Sequence, residues 1–243
     1  MFSGLRSRDC FEAVAGLLYP RHCGACDRPT RPGRFLCADC RRSLTRLQGP
    51  RCAVCSQPFG GALEPGFRCM NCGDRELHFD FATSAYRSRG VVRDLIHNLK
   101  YNKQLHLRHL LGRMLSQGFA DPRVRACGID CIVPVPLYSA REREREFNQA
   151  AVLASVASGR LGIPLIGALK RVRYTVTQTH FHREERFENL DGAFALRPRA
   201  DVRGKNIALV DDVLTTGSTA DACAKVLQEA GAAAVIVITV ARG

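Results

Sequence analysis

The stretch Ile207-Ala208-Leu209-Val210-Asp211-Asp212-Val213-Leu214-Thr215-Thr216-Gly217-Ser218-Thr219 decides how this chain is read. Its four apolar residues, Ile207 to Val210, follow shortly after Gly204 and stop at two carboxylates. That is the pattern of a central strand of a parallel sheet, buried on both faces. Hydroxyls and a glycine then lead into Ala220, Cys223, Ala224 and Leu227, which recur at helical spacing, and Gly231 is placed to end that helix. Ala233 to Val240 supplies the next buried strand, so 205–240 reads as one strand–helix–strand unit. Ligands of such sheets sit beyond the carboxyl ends of the strands, where Asp211 to Thr219 belong. The residue types there suit a ribose carrying a phosphate. Asp211 and Asp212 can accept hydrogen bonds from vicinal hydroxyls. Backbone N–H groups of Thr215, Thr216, Gly217, Ser218 and Thr219, at the start of a helix, form a concavity for phosphate oxygens. Gly217 has no side chain and lets the main chain approach closely.

Two other readings compete. A strand ending in Asp-Asp also suits the magnesium-holding strand of a P-loop ATPase, but that chemistry requires G-x-x-x-x-G-K-[ST], and the string does not occur. An ordinary strand-to-helix turn with Thr and Ser as caps is the plainer alternative.

Eight of the 12 cysteines form four C-x-x-C pairs: Cys23/Cys26, Cys37/Cys40, Cys52/Cys55 and Cys69/Cys72. Each pair aims two thiolates at one point, and two pairs complete a tetrahedral zinc site, so the spacing predicts two structural Zn²⁺ ions. Sequential pairing groups Cys23, Cys26, Cys37 and Cys40 around one ion and Cys52, Cys55, Cys69 and Cys72 around the other; an interleaved pairing is also open. A disulfide framework would need an oxidising compartment, and Phe11 to Tyr19 is too short and too quickly followed by Pro20 to read as an export signal. The expectation is a cytoplasmic protein with no membrane insertion. Among the remaining cysteines, Cys223 reads as a small apolar filler on the inner face of its helix.

The 243 residues carry a net charge of +13, unevenly spread: +4 over 1–80, +10 over 81–200 and −1 over 201–243. Each zinc with four thiolates contributes −2, which brings the filled protein to about +9. A surplus of that size favours polyanionic partners, nucleic acid or phosphorylated metabolites. An arginine-rich proteome would give the same balance. The expected organisation is an amphipathic lead-in over 1–19, a double zinc-ribbon module over 20–78 that depends on metal for its fold, and an α/β domain over 79–243.

Val210 to Thr219 resembles the phosphoribosyl pyrophosphate signature of type I phosphoribosyltransferases. Together with the cysteine pairs it identifies the chain as a member of the ComF family, phosphoribosyltransferase-like proteins associated with competence and DNA uptake in bacteria. The resemblance runs from about Pro20 onward. It implies a type I phosphoribosyltransferase-like parallel sheet flanked by helices, with a small N-terminal double zinc ribbon. It further implies that Pro134-Val135-Pro136-Leu137, Arg141, Arg143, Arg145, Asn148 and Gln149 belong to a pyrophosphate loop, with Arg141 and Arg145 facing the diphosphate and Asn148 and Gln149 holding the loop against the following helix. Glu146 departs from the family's usual glycine, which sets a negative side chain where an anion should approach. Arg-Glu-Arg-Glu-Arg-Glu also fits a self-compensating helical face. Lys100 and Tyr101 match a Lys-Tyr element lining the cleft, with packing as an equal role for Tyr101. The helically spaced Leu95, Ile96, Leu99, Leu107, Leu110, Leu111 and Leu115 cover one sheet face. The basic stretch from Arg171 to Asn189, with Thr177, Gln178, His180, His182, Arg183 and Arg186, resembles the mobile loop that closes over substrate, and Asn189 to Phe194 its return into a strand.

The implied ligand is phosphoribosyl pyrophosphate with Mg²⁺, or a related sugar phosphate. Further implied partners are single-stranded DNA and a competence helicase or recombination mediator. Two functions follow: a phosphoribosyl-binding protein of DNA uptake or single-stranded DNA handling, or an active transferase joining a nucleobase or related nitrogen to ribose 5-phosphate, with Asp211 and Asp212 as its catalytic pair.

Overall fold

The computed structural model describes residues 22–31, 33–73, 75–173, 190 and 192–243. The expected lead-in over 1–19, Cys10 and the stretch with Thr177, Gln178, His180, His182, Arg183 and Arg186 lie outside them. Four parallel strands make the central sheet: β1 (Phe81–Arg87), β2 (Cys131–Pro134), β5 (Asn206–Leu214) and β6 (Ala234–Arg242), in the order β1-β6-β5-β2. A separate antiparallel pair joins β3 (Leu169–Arg171) to β4 (Phe194–Leu196). The helices are α1 (Ala38–Arg42), α2 (Met70–Gly73), α3 (Val91–Tyr101), α4 (Arg108–Ser116), α5 (Pro122–Cys127), α6 (Ser139–Arg145), α7 (Gln149–Leu161) and α8 (Ser218–Glu229).

β5 is buried because both of its faces are covered, and side chains alternate between them. Ile207 and Leu209 pack with Ala220, Cys223, Ala224 and Leu227 of α8. Ala208 and Val210 point the other way, onto Leu111 and Leu115 of α4 and Leu153, Ala154 and Ala157 of α7. Leu111 and Leu115 are wholly buried, and each contributes about 1.5–3 kcal/mol relative to exposure. α4 and α7 cross closely because Gly112 has no Cβ: one placed there would lie 2.5 Å from the Val156 Cβ.

Several elements differ from the sequence expectation. β5 does not stop at the acidic pair. It runs on to Leu214 because β6 continues beside it, with Asp211 opposite Thr239, Val213 opposite Ala241 and Leu214 opposite Arg242. The Pro134-Val135-Pro136-Leu137 element begins inside β2, which spans only Cys131–Pro134, its ladder starting where Cys131 meets Ile207. The leucine-rich stretch from Leu95 to Leu115 is broken between α3 and α4, where Lys103 takes a left-handed φ of +51°. The Arg-Glu repeat forms α6, a short helix with no buried residue and an Arg141–Glu144 pair at 3.9 Å, which is the self-compensating face rather than an open loop.

The cysteine-rich region divides around the sheet. Cys23, Leu36 and Cys40 join the core on the α4 and α7 side, whereas Cys52, Val54, Cys55, Cys69 and Cys72 join the core on the α8 side. Between them the chain passes along the edge of β1. Leu47 N–H donates to the Ala85 carbonyl (2.9 Å), and Arg87 N–H donates to the Thr45 carbonyl (2.9 Å). That pairing covers an otherwise open strand edge. Among the described residues no helix is long and apolar enough to cross a membrane.

Candidate functional site

Because β2 and β5 are parallel neighbours, their carboxyl ends open on one edge of the sheet, and the loops that follow them meet there. Asp211 and Asp212 lie near this end of β5. Asp212 is only 3% exposed. Its Oδ2 lies 2.5 Å from Nζ of Lys100, which arrives from the last turn of α3. Burial opposes the charge on Lys100, but the Asp212 and Asp211 carboxylates outweigh it and hold the ammonium above its ordinary pKa. Asp211 is partly buried and accepts from the Asp212 N–H at 2.8 Å. Burial first, and then the neighbouring Asp212 charge, push its carboxyl well above the usual range, with Lys100 pulling the other way. The Lys100 ammonium offsets part of the doublet's negative charge.

The chain then turns through Thr215 and Thr216 into α8. Gly217 stands at the N-cap with φ +87°, a left-handed conformation that favours glycine. The Thr216 hydroxyl lies 3.0 Å from that of Ser218, and the Ser218 N–H points to it at 3.5 Å, so the capping role expected of these hydroxyls is met weakly. Thr215 is exposed, Thr216 and Thr219 are partly exposed, and Ser218 is buried beneath the turn.

The residues implied for the pyrophosphate loop divide. Asn148 caps α7, accepting from the Ala151 N–H (3.3 Å), and donates to the Val135 carbonyl (3.0 Å), so it ties this loop to the end of β2. Gln149 is buried and accepts from Arg145 at 3.0 Å. The Arg145 guanidinium also lies over the Tyr101 ring, 5.0 Å from its centroid, which links the loop to α3 and gives the exposed Tyr101 a packing contact. Arg141 lies on α6 with a side chain about one-third exposed (36%). Glu146 ends α6 with φ +69°, the conformation a glycine adopts freely, and its carboxylate is paired with Lys103. Lys103, His78, Asn71 and Arg242 carry no sequence signal, because each meets this region from a distant part of the chain.

The cysteines resolve the pairing left open by the sequence. Sγ atoms of Cys23, Cys26, Cys37 and Cys40 form one cluster and those of Cys52, Cys55, Cys69 and Cys72 the other, all within 4.8 Å inside each cluster. Cys26 to Cys37 is 3.8 Å and Cys55 to Cys69 is 3.6 Å between sulfurs. A tetrahedron of Zn–S bonds has an edge of about 3.8 Å, so both donor sets fit structural zinc. Each cluster has an arginine on a thiolate. Arg28 Nε donates to Cys26 Sγ at 3.4 Å within the first ribbon, while Arg242 Nη2 reaches Cys55 Sγ at 3.6 Å from β6. Cys55 is drawn down to about 4, first by a hydrogen bond from Cys72 and also by the Arg242 charge, with burial opposing.

Known families match two parts of the chain. The double zinc ribbon domain matches residues 14–74, and the phosphoribosyl transferase domain matches residues 148–243. The chain is 33% identical to DNA utilization protein YhgH of Salmonella typhi over 90% of its length and 96% of that protein. It is 31% identical to competence protein F of Haemophilus influenzae, covering 81% of this chain and 92% of the relative. Competence protein ComFC of Bacillus subtilis is 26% identical, over 84% and 82%. A double zinc ribbon joined to a type I phosphoribosyltransferase-like domain, with 31–33% identity to competence protein F and YhgH over most of its length, makes this chain a member of the ComF family.

Proposed function

We propose that the carboxyl edge of the sheet binds phosphoribosyl pyrophosphate or a related sugar phosphate, and that the protein acts in DNA uptake or in handling single-stranded DNA. One observation carries the ligand reading: the Asp211–Asp212 doublet, the Lys100 ammonium and the turn into α8 share one edge. In this reading Asp211 and Asp212 take the ribose hydroxyls, and the N–H groups of Thr215 to Thr219 take the 5′-phosphate. A phosphate dianion beside two bare carboxylates would be repelled; pairing Asp212 with Lys100 relieves that repulsion. The carboxylate and hydroxyl oxygens of this edge are the donor type that Mg²⁺ prefers, and that cation would offset diphosphate charge when bound with the ligand. The DNA reading draws support from the names of the relatives and from the +13 charge.

Calorimetry on zinc-replete protein tests the ligand. Heat with phosphoribosyl pyrophosphate is expected, and silence with that compound, ribose 5-phosphate and nucleotides would remove the reading. Single-stranded DNA should bind with an affinity that falls steeply with salt. The intact set from Asp211 to Thr219 also supports a second reading, transfer of ribose 5-phosphate to a nucleobase or related nitrogen. Diphosphate release that depends on one added base would establish it over the binding role.

A further inference from the structure

The two cysteine clusters are not equivalent with respect to this edge. The first is held by its own ribbon and packs against α3 and α4, and its arginine contact comes from two residues away. The second reaches the turn between β5 and α8 through Arg242, Asn71, His78 and Phe79. Arg242, 6% exposed, donates from Nε to the Cys55 carbonyl (2.9 Å), from Nη2 to Cys55 Sγ (3.6 Å) and from Nη1 to the Leu214 carbonyl (2.9 Å). Leu214 is the last residue before the turn. Asn71, in the α2 helix that holds Cys72, donates from Nδ2 to the Thr216 carbonyl at 3.3 Å, inside the turn. His78 N–H then donates to Asp221 Oδ1 at 2.6 Å, which fastens the first turn of α8 to the segment leaving the ribbon. Phe79, at the end of that segment, packs beneath the turn, 3.7 Å from where a Cβ on Gly217 would stand.

The turn itself has few constraints of its own, since the hydroxyl cap from Thr216 is long. The Thr216 carbonyl is instead fixed from the ribbon by Asn71, and the Leu214 carbonyl by the Gly243 N–H (2.9 Å) and by Arg242, whose other bonds go to Cys55. Fixing the carbonyl side of a peptide fixes the plane in which the next N–H points. Those N–H groups are the donors assigned to phosphate. A buried arginine also needs a negative partner, and four thiolates around one divalent ion provide it.

We propose that the second cysteine cluster is a working part of the phosphate turn: through Arg242 and Asn71 it presets the amide cradle of 215–219 for a phosphate monoester, and the first cluster does not. This rests on the turn being the phosphate site. Arg242 and Asn71 are therefore positioning residues, acting on the ligand through the main chain they hold.

The test uses full-length, zinc-replete protein and two variants, Asn71→Ala and Arg242→Lys, with Met70→Ala as a control. Met70 is the exposed neighbour of Asn71, 89% accessible. Amide hydrogen exchange is read without ligand, and ribose 5-phosphate binding is read by calorimetry, with zinc content measured for each protein. Both variants should keep two zinc ions, speed exchange at 215–219 about tenfold and weaken ribose 5-phosphate about five- to tenfold, the scale of one lost hydrogen bond. The control should change neither. If Arg242→Lys does not fold, Asn71→Ala decides the matter alone. Unchanged exchange at 215–219, with ribose 5-phosphate bound as tightly as in wild type, overturns the proposal and leaves the phosphate reading standing. A wild type that takes no ribose 5-phosphate or phosphoribosyl pyrophosphate overturns both.

Discussion

Lys100 and Asp212 form a buried ion pair across two elements, the last turn of α3 and the carboxyl end of β5, with 2.5 Å between Nζ and Oδ2. Removing one partner strands the other. Lys100→Met should lower stability by about 2–4 kcal/mol at pH 8, because Asp212 is left charged and 3% exposed. Thermal melts of both proteins at pH 8 would reveal the loss; a variant as stable as wild type contradicts the pairing.

Asp211 behaves differently. Its carboxyl is already pushed up by burial and by Asp212, so between its unfolded and folded pKa values the native state binds the extra proton and stability falls with rising pH. Asp211→Asn should therefore raise Tm by roughly 2–4 °C at neutral pH, equivalent to about 1 kcal/mol in a chain of this size, while abolishing phosphoribosyl binding. A variant that melts lower and still binds ligand would contradict both halves. The companion change Asp212→Asn should bind poorly as well, but it should also destabilise, since it strands Lys100.

Glu146→Gly probes the departure from the family pattern. Glycine relieves the left-handed backbone at φ +69° by about 1 kcal/mol, and the exposed pair with Lys103 that is lost is worth about 0–1 kcal/mol. Stability should hardly move. Affinity for phosphoribosyl pyrophosphate should rise about fivefold, and for ribose 5-phosphate much less, because only the diphosphate reaches this loop. Equal changes for both ligands would place the diphosphate elsewhere.

Cys37→Ser should reduce zinc from two ions to about one and loosen the first ribbon while phosphoribosyl binding persists. Metal analysis alongside calorimetry checks both outcomes. Loss of both metals, or of ligand binding with the second cluster filled, would count against the independence of the two centres.

The apolar run from Ile207, the helical spacing from Ala220 to Leu227 and the four C-x-x-C pairs expose the sheet, α8 and both metal centres in the sequence, because each is a local pattern with a fixed period. The reach of β5 past the acidic doublet was not legible, since it is set by pairing with β6 rather than by the residues of β5. Helix α6 was one of two readings, and the absence of any buried residue on it explains why its arginines gave no apolar period. The roles of Arg242 and Asn71 leave no local trace at all. They depend on partners 187 and 145 residues away, which only the folded arrangement brings within reach.

The passage of residues 45–47 along β1, with one ribbon on either side, makes the cysteine-rich region a clasp around the sheet. A fragment beginning at Phe79 would therefore lose cover from two opposed apolar surfaces and bare the hydrogen-bonding groups of its outermost strand. Such a fragment should self-associate through that strand, and its behaviour in solution would misrepresent the parent protein.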